Sequence, residues 1–385
     1  MHIGLLTPEY PHPRSSPAAG IGTSIRNLAT GMVEKGIQVS IFIYEQQEND
    51  IFMDEGLKIH LIKQQKFRLF GWYLYRKYLQ NYLNKYIAVD HIDAVEVPDW
   101  TGISAFMKLR CPLVLRLHGS DTYFCHLENR VQKRKNFWFE KLAMQNADYL
   151  VAVSRFTAEK TAQLFDLKKE IRVIPNSVDV QNFAPNNKKT SLDSILYFGS
   201  VIRKKGVLEL PEIFNLAIRE NPEAQLIIAG KDVVDQKTGS STRKLMEEKF
   251  TPEAIQKVVW LGELPYTQIR EQIAKANVVV LPSFAEALPM TWIEAMAMEK
   301  PLITSNIGWA KEVMTDGKTG FTVDPKDHNG YAEKVLQLLK DPELATKMGK
   351  AARERVLEKF SSDVVVKQNI QFYNKLVRGK RLKDR

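Results

Sequence analysis

Short apolar runs alternate along this chain with longer stretches whose apolar positions recur every three or four residues. Residues 3–6 form the first run, and apolar residues at helical spacing follow across residues 25–33. Gly36 supplies the left-handed residue that often ends a helix, and residues 39–44 form the next apolar run. Strand, helix and strand in this order predict an open parallel sheet that binds ligands at the carboxyl ends of its strands.

The same alternation continues through the rest of the sequence and predicts further strands, at residues 58–62, 94–97, 113–117, 149–153, 171–174, 195–198, 225–229, 258–261, 278–281 and 302–304. Between Gln181 and Ser194 the periodicity lapses and the sequence turns polar, which predicts a linker between two domains. We therefore predict an α/β protein with an N-terminal domain at residues 1–185 and a C-terminal domain at residues 190–362. Helices at about residues 328–360 precede an amphipathic segment that ends in a basic tail, residues 378–385.

Composition narrows the class of protein. A length of 385 residues suits two domains, and two cysteines without metal-ligand spacing favour a reducing compartment. The N-terminus lacks the basic lead and apolar core of a secretion signal, and no uncharged apolar run approaches the roughly 18 residues of a membrane span. The formal net charge of +10 predicts an acidic partner: membrane lipid, nucleic acid or a phosphorylated substrate.

The stretch at residues 281–297 contains the most informative local chemistry. Glu286 follows an apolar strand, and Glu294 lies eight positions later within a helical pattern. Pro289 lies between them and suits the first position of a helix, because its missing N–H would be unpaired there anyway. The free amides of that helix would point towards whatever binds beside Glu286. This arrangement predicts a polar, partly anionic ligand.

Gly20 and Gly22 lie between the first strand and the first helix. Glycines at this turn let main-chain amides approach a phosphate or a sugar hydroxyl. A dinucleotide-binding fingerprint needs another glycine three positions after Gly22, where this chain has Ile25, so the dehydrogenase hypothesis loses support. A turn with no ligand is the alternative.

Two further motifs follow strands. His118 comes directly after the strand at residues 113–117, where ligands bind in α/β domains; a structural hydrogen-bonding role is the alternative. Arg203, Lys204 and Lys205 precede Gly206 in a strand-to-helix turn. Cations beside helix amides can clamp a diphosphate, and a solvated charge run is the alternative.

Taken together, these motifs resemble, over essentially the whole chain, the GT-B retaining glycosyltransferases of family 4, the group 1 type. The resemblance is carried by residues 5–10, 20–22, 117–119, 153–156 and 173–179 in the first half, and by residues 205–206, 229–230, 286–297, 300–301, 312–314 and 317–321 in the second. It implies two Rossmann-like domains with parallel sheets facing across a deep cleft. It also implies that residues 363–385 form a helix that crosses back to the first domain.

The resemblance assigns roles to individual residues. Glu286 would hold hydroxyls of the donor sugar, Glu294 the ribose diol, and His118 would contact the donor sugar from the other domain. Lys205 and Arg203 would neutralise the diphosphate leaving group. The remaining donor-binding positions implied are Gly20, Gly22, Gly199, Ser200, Gly230, Ala287, Leu288, Pro289 and Met290.

The chain departs from the family pattern at Ser200, where arginine is frequent. Arg203 is expected to take over that role, in which case Arg203→Ala weakens nucleotide affinity strongly and unchanged affinity assigns the clamp to Lys205 alone. No Asp-x-Asp motif occurs, so we expect no metal and no cofactor. The resemblance suggests front-face attack, with the leaving phosphate helping to take the acceptor proton. Asp99 and Trp100 are candidate acceptor residues, and a helix N-cap is the alternative for Asp99.

The least familiar sequence lies in the predicted acceptor domain. Residues 63–86 and 130–139 interleave aromatic and basic side chains, which suits a membrane interface rich in anionic lipid. The alternative is that the aromatic rings pack in the core and the cations face water. Peripheral attachment to the inner face of the plasma membrane by a cytoplasmic protein would fit polysaccharide or lipid-linked oligosaccharide synthesis.

The predicted function is therefore transfer of a hexosyl unit from a UDP- or GDP-sugar to a glycan or lipid-linked acceptor, with retained anomeric configuration. A nucleotide-sugar epimerase or a glycoside phosphorylase on the same fold is one alternative, although no lysine is marked as a pyridoxal phosphate site. A non-catalytic nucleotide-sugar-binding subunit is another. No nucleic-acid-binding motif accompanies the positive charge, so nucleic acid is not an expected partner.

Overall fold

The computed structural model describes residues 1–15, 20–185 and 193–383, with side chains to residue 379. The chain divides into two compact units, one comprising Met1–Ser177 and Ser361–Arg385 and the other Val178–Phe360. This division precedes the predicted linker between Gln181 and Ser194. Residues 186–192 of that linker, and with them the predicted domain start at residue 190, lie outside the described residues.

The first unit contains, in chain order, β1 (His2–Thr7), α1 (Gly20–Glu34), β2 (Gln38–Gln46), β3 (Asp50–Asp54), β4 (Leu57–Lys63), α2 (Gly71–Val89), β5 (Ala94–Pro98), β6 (Leu113–Leu117), α3 (Asp121–Leu127), α4 (Arg134–Asn146), β7 (Tyr149–Ala152), α5 (Arg155–Phe165) and β8 (Ile171–Val173). The strand order is β3-β4-β2-β1-β5-β6-β7-β8, and all neighbours are parallel except β3 and β4. At the centre of the sheet Leu5 aligns with Ile41 on one side and Glu96 on the other.

The second unit contains β9 (Ser194–Phe198), α6 (Leu210–Glu220), β10 (Gln225–Ala229), α7 (Thr242–Glu247), α8 (Pro252–Ile255), β11 (Val258–Gly262), α9 (Tyr266–Lys275), β12 (Val278–Leu281), α10 (Met290–Ala297), β13 (Leu302–Ser305), α11 (Ala310–Val313), β14 (Phe321–Val323), α12 (His328–Lys340) and α13 (Pro342–Lys359). Its sheet is parallel throughout, in the order β11-β10-β9-β12-β13-β14. Leu196 on the central strand aligns with Ile227 and Val279. Each sheet is thus of the Rossmann-like type predicted, and the α/β fold class is confirmed.

The strands predicted from apolar runs are present to within two residues at each end. Two strands were not predicted, β3 and β14. The strand β3 pairs with β4 through a tight turn at Glu55 and Gly56, which have φ angles of 47° and 79°. A glycine after a polar residue is the usual signal of such a hairpin, but the half-exposed strand before it has no continuous apolar run.

Both faces of the first sheet are covered, because its central strands β1, β5 and β6 are buried along their whole length. One core cluster includes Leu79 and Leu83 of α2 and Ala143 of α4. The other includes Ile25 and Leu28 of α1. No described helix combines the length and apolar composition that crossing a bilayer requires.

The last helix, α14 (Ser362–Lys383), belongs to the first unit and packs beside α1. A buried polar cluster joins it to the sheet. Arg116 contacts both carboxylate oxygens of Glu96, at 2.6 and 2.9 Å, and donates to Asn369 Oδ1 at 2.6 Å. Tyr373 donates to Glu96 at 2.6 Å, and the Ile174 carbonyl accepts from Arg116 at 3.3 Å. The side chains of the basic tail from residue 380 onward lie outside the described residues.

Candidate active site

The predicted donor residues of the second unit meet at the carboxyl ends of β9 and β12. The turn after β9 forms a short 3-10 helix, Arg203–Lys205, and the loop after β12 leads into α10. The Lys204 carbonyl accepts hydrogen bonds from the amides of Phe284 and Ala285, at 2.8 and 3.3 Å. These bonds fix the loop that carries Glu286 against the turn that carries Lys205.

Lys205 and Glu286 form a close ion pair. The distance between Lys205 Nζ and Glu286 Oε1 is 2.5 Å, and the Glu286 side chain is almost fully buried. Tyr197 on β9 is fully buried. Burial and the nearby Glu286 carboxylate raise the pKa of its phenol well above the usual value. The pair therefore places one cation and one anion at a largely desolvated position beside the end of the sheet.

Glu294 lies on α10, buried, and accepts a hydrogen bond from the Tyr266 hydroxyl of α9. Burial raises the pKa of the Glu294 carboxyl to about 7, although the Tyr266 hydrogen bond and the charge of Lys205 lower it. Lys205 thus acts electrostatically on Glu294 as well as on Glu286. Sequence reasoning did not identify Tyr266; its position at the start of a helix carried no signal.

Pro289 immediately precedes α10, at the N-cap, so the helix begins one residue later than predicted, at Met290. Ala287, Leu288 and Met290 are buried around this turn. The first turn of α10 contains no acidic residue, so its amides and dipole are uncompensated by a carboxylate within that turn. Thr291 in this turn lies beside Gly199: a Cβ at the glycine would be 3.6 Å from its methyl group.

Two glycines allow the strand ends to approach closely. A Cβ at Gly206 would lie 1.9 Å from the Pro282 carbonyl oxygen, and Gly206 has a φ of 70°. A Cβ at Gly230 would lie 1.8 Å from the Gly199 carbonyl oxygen. Ser200 lies in the same turn and its carbonyl accepts from the Tyr197 hydroxyl at 2.8 Å. Any side chain at Gly206 or Gly230 would therefore displace the turn that carries Lys205.

Arg203 makes a bidentate pair with Asp235, at 2.7 and 2.8 Å. The Arg203 hydrogen bond holds the pKa of the Asp235 carboxyl far below its usual value, and Thr238 donates to the same carboxylate. No local pattern predicted this pair, because Asp235 lies in a loop without periodicity. The structure thus ties Arg203 to the loop after β10, while the neighbouring Lys205 contacts Glu286.

This pairing sharpens the prediction for Arg203. If Arg203 braces the loop, Arg203→Ala and Asp235→Asn should lower nucleotide affinity by the same small factor, within about threefold, since both remove one partially exposed pair. If Arg203 is the clamp that replaces the arginine expected at Ser200, Arg203→Ala alone should lower affinity more than tenfold. Calorimetric titration of both variants with nucleoside diphosphate separates the two roles.

In the first unit, His118 and Asp99 lie together at the ends of β6 and β5. The His118 amide donates to Asp99 Oδ1 at 3.0 Å. Burial and the charge of Arg116 lower the pKa of the His118 imidazole to about 3, so it is neutral at physiological pH. Burial raises the pKa of Asp99 to about 8, the His118 amide lowers it and the nearby Glu140 raises it.

The N-cap alternative for Asp99 is wrong, because its side chain makes no capping hydrogen bond to the short helix Trp100–Gly102. Asp99 is fully buried, whereas Trp100 is partly exposed. Asp99 therefore holds the backbone of His118 rather than presenting a carboxylate to solvent. Contact of either residue with an acceptor stays a prediction.

His118 also borders a small cavity of about 10 Å³, roughly the room that one water molecule needs. Arg116, Glu96 and Asn176 line the same cavity. Asn176 belongs to the motif at residues 173–179 and accepts a hydrogen bond from Ser24 of α1 at 2.7 Å. That motif therefore fixes the first helix next to His118.

The first helix begins at Gly20, so the two glycines predicted to precede the helix lie in its first turn. A Cβ at Gly20 would meet no atom within 4 Å. The Gly22 amide donates to the Glu9 carboxylate at 2.9 Å, a contact that the sequence did not suggest. The Glu9 carboxylate thus binds an amide at the N-terminus of this helix, where an anionic ligand is expected to bind. The contact of Gly22 with a diphosphate stays a prediction.

These sites and the two Rossmann-like sheets define the class of protein: a GT-B glycosyltransferase. Two family models support this class and together span most of the chain. "Glycosyltransferase Family 4" matches residues 18–182, and "Glycosyl transferases group 1" matches residues 179–355. The chain belongs to the group 1, family 4 glycosyltransferases, so the predicted family is confirmed and the protein is a glycosyltransferase.

Curated relatives include other glycosyl-transferring enzymes. The glycogen synthase of Mycobacterium tuberculosis is 29% identical over 297 residues, covering 75% of this chain and 70% of the relative. The N-acetyl-alpha-D-glucosaminyl L-malate synthase of Bacillus anthracis is 28% identical over 278 residues, covering 70% of this chain and 69% of the relative. The names of these two relatives indicate different products, glycogen and a glucosaminyl malate, so their similarity leaves the acceptor of this chain open.

Solved structures show the same fold. Sucrose-phosphate synthase from Thermosynechococcus elongatus matches with a TM-score of 0.76 at 22% identity, covering 98% of this chain and 99% of that chain. Anabaena Alr3699/HepE in complex with UDP and glucose matches with a TM-score of 0.73 at 17% identity, covering 97% and 99%. At these identities the likeness establishes the architecture alone.

Proposed function

We propose that the protein transfers a hexosyl unit, with retained anomeric configuration, from a nucleoside-diphosphate sugar to a hydroxyl group of a glycan or lipid-linked acceptor. The observation that carries this proposal is the grouping of Lys205 with two buried carboxylates, Glu286 and Glu294, beside the N-terminus of α10. The hydroxyls of a sugar and a ribose can donate hydrogen bonds to the two carboxylates, and a diphosphate can bind the cation and the helix amides. The complexes of the structurally similar Anabaena Alr3699/HepE with UDP and with UDP-glucose support a uridine donor.

The chain's residues divide the chemistry. Glu286 accepts hydrogen bonds from donor-sugar hydroxyls, and Glu294 accepts them from the ribose diol. As the bond between the sugar C1 and the phosphate oxygen breaks, Lys205 and the amides of α10 stabilise the charge on the diphosphate. The acceptor oxygen forms the new bond to C1 from the same face, and its proton passes to a leaving phosphate oxygen. These groups would stabilise the diphosphate without a metal, which stays a prediction.

Release of nucleoside diphosphate from a panel of UDP- and GDP-sugars, with candidate glycan and glycolipid acceptors, tests the function directly. We expect release with one donor only when a suitable acceptor is present. NMR of the product's anomeric centre then checks retention. If none of the donors releases nucleoside diphosphate although nucleotide binds, a non-catalytic nucleotide-sugar-binding subunit is favoured. Conversion of the donor sugar without transfer would favour the epimerase.

The two carboxylates provide an internal comparison. We expect Glu286→Gln to lower turnover by about 10²-fold while changing nucleoside diphosphate affinity little, because it contacts the sugar rather than the nucleotide. Glu294→Gln should mainly weaken nucleotide affinity, by about tenfold, because an amide can accept from only one oxygen where the carboxylate accepts on two. Steady-state kinetics and calorimetry on both variants check this. Equal effects on both quantities would refute the division of labour.

A further inference from the structure

Two aromatic and basic segments that are far apart in the sequence lie together in the first unit. The Trp72 ring of α2 stacks on the Phe139 ring of α4, with 5.1 Å between ring centroids. Phe106 packs against both of these rings and against Tyr73. The start of α2 and the start of α4 therefore form one surface, made of residues 66–74 and 133–138, which we call the aromatic–basic patch.

Large apolar side chains of the patch are unusually exposed. Leu69 and Phe70 are 70% and 69% exposed, and Trp138 is 59% exposed, although it neighbours the buried Phe139. Trp72, Tyr73 and Leu74 are each more than a third exposed. Contiguous exposed apolar surface of this kind marks an interaction site in a soluble domain, since water would otherwise favour its burial.

The charge of the patch is of one sign. Lys66, Arg68, Lys133, Arg134 and Lys135 are all exposed, and neither segment contains an aspartate or a glutamate. Within the described part of the chain no carboxylate lies within ion-pair distance of these five cations. Lys135 lies over the Phe139 ring, 5.7 Å from its centroid. The patch thus presents apolar side chains surrounded by uncompensated cations.

The rest of the two segments does not share this character, so the alternative for them is correct in part. Arg76 is buried and donates to the carbonyls of Trp72, Thr101 and Gly102. Tyr75, Tyr78, Tyr82 and Tyr86 pack against the core. The aromatic residues after the first turn of α2 therefore stabilise the fold, and the exposed aromatic side chains of the two segments lie in the patch.

We infer that the aromatic–basic patch binds a membrane surface rich in anionic lipid. Aromatic rings and a leucine suit the boundary between headgroups and acyl chains, and cations suit anionic headgroups. A protein partner would need carboxylates that match the cations. A nucleic acid would bind the cations but would leave the exposed Leu69 and Phe70 largely without apolar contacts. The inference deepens the proposed function, because a membrane at this patch could present a lipid-linked acceptor. Only this link to the acceptor rests on the proposed function. Lipid binding itself is independent of catalysis.

Co-sedimentation of the full chain with vesicles of phosphatidylcholine, with and without phosphatidylglycerol, tests the inference. We expect binding only with phosphatidylglycerol and weaker binding at high salt. Arg68→Gln with Arg134→Gln should lower the partition constant roughly 25-fold, since each cation contributes about fivefold near an anionic surface. Leu69→Ser with Trp138→Ser should lower it at least tenfold, which burial of one large side chain supplies.

The matched control is Lys347→Gln with Lys350→Gln, two exposed lysines of α13 in the second unit. It removes the same charge elsewhere and should leave vesicle binding within about twofold. Equal loss in this control would overturn the inference, because binding would then follow the overall positive charge. Vesicle binding that survives both patch variants, or no binding of the unaltered chain at low salt, would overturn it as well.

Failure of this inference and failure of the proposed function are distinguishable. The patch variants should still bind nucleoside diphosphate with unchanged affinity and still use a water-soluble acceptor. Glu294→Gln should lose nucleotide affinity and keep vesicle binding. Nucleotide turnover without vesicle binding would refute the patch alone, and vesicle binding without turnover would refute the transferase assignment alone.

Discussion

Replacement of Lys205 by methionine is expected to lower turnover by about 10²–10³-fold, the range found when one electrostatic stabiliser of a developing charge is removed. Methionine keeps much of the side chain's volume and loses the ammonium, which lies 2.5 Å from Glu286 and also lowers the pKa of Glu294. The leaving diphosphate would then gain charge beside two carboxylates without the cation that offsets them. Turnover is measured as nucleoside diphosphate release at saturating donor.

The neighbouring Lys204→Met is the control, because it removes an equal charge from the same short helix. The 2.5 Å contact with Glu286 belongs to Lys205, so we expect turnover to fall by less than about threefold in Lys204→Met. If both variants lose activity equally, the loss depends on the total positive charge of the turn and not on Lys205 itself. The assignment of Lys205 to the diphosphate is then wrong. If Lys205→Met raises KM alone, the residue contributes uniform binding and no stabilisation of the leaving group.

Replacement of Arg116 by methionine is expected to lower the free energy of unfolding of the first unit by about 3–5 kcal/mol, the cost of removing one partner of a buried ion pair. Within the described part of the chain, the buried Glu96 carboxylate would keep the Tyr373 hydroxyl as its side-chain donor, and Asn369 of α14 would lose its guanidinium partner. Because the chain has two compact units, denaturant unfolding should be followed with a probe in the first unit rather than fitted as one transition.

A second variant keeps this prediction open to refutation. Arg116→Met combined with Glu96→Leu removes both charges and should regain most of the lost stability, because no unpaired charge stays buried. Lys35→Met removes the exposed contact of Lys35 with Asp363 of the same last helix, at 2.9 Å, and should change stability little. If the double variant is no more stable than Arg116→Met alone, the cost lies in packing, and the cluster does not act as an ion pair.

The same cluster links the fold to the site. Arg116 on β6 and His118 directly after the strand line one cavity, and the charge of Arg116 contributes, after burial, to the low pKa of His118. Arg116→Met should therefore raise the pKa of His118 as well as destabilise the unit. A histidine that is held neutral can accept or donate a single hydrogen bond to a sugar hydroxyl without a competing charge.

Much of the fold was predictable from local patterns. Apolar runs of four to six residues identified the strands that are buried on both faces, because the strands of a parallel sheet covered by helices are nearly continuous apolar runs. The strand β3 escaped because it is half exposed, and the polar residues 186–192 are outside the described residues. Glu286, Glu294 and Lys205 were identified as site residues because helix and strand ends place them at the edge of the sheet.

The partners of those residues were not predictable. Asp235 for Arg203, Tyr266 for Glu294 and Glu9 for Gly22 each lie in a loop, or at the start of a helix, that carries no periodic signal. Each contact joins residues that are 13 to 32 positions apart, beyond the reach of a local periodic pattern. The aromatic segment at residues 63–86 likewise allowed two interpretations, a membrane interface or core packing. The structure shows that its later tyrosines pack against the core, whereas residues 66–74 belong to the aromatic–basic patch.

The sequence by itself determined the alternation of strands and helices, the glycine turns and the spacing of Glu286 and Glu294, because these depend on residues a few positions apart. Only the tertiary structure decided that Lys205 pairs with Glu286, that Arg203 pairs with Asp235, that Asp99 holds the backbone of His118, and that two distant segments form one exposed patch. Those outcomes depend on burial and on the position of charges across the fold, which side-chain type and local spacing do not specify.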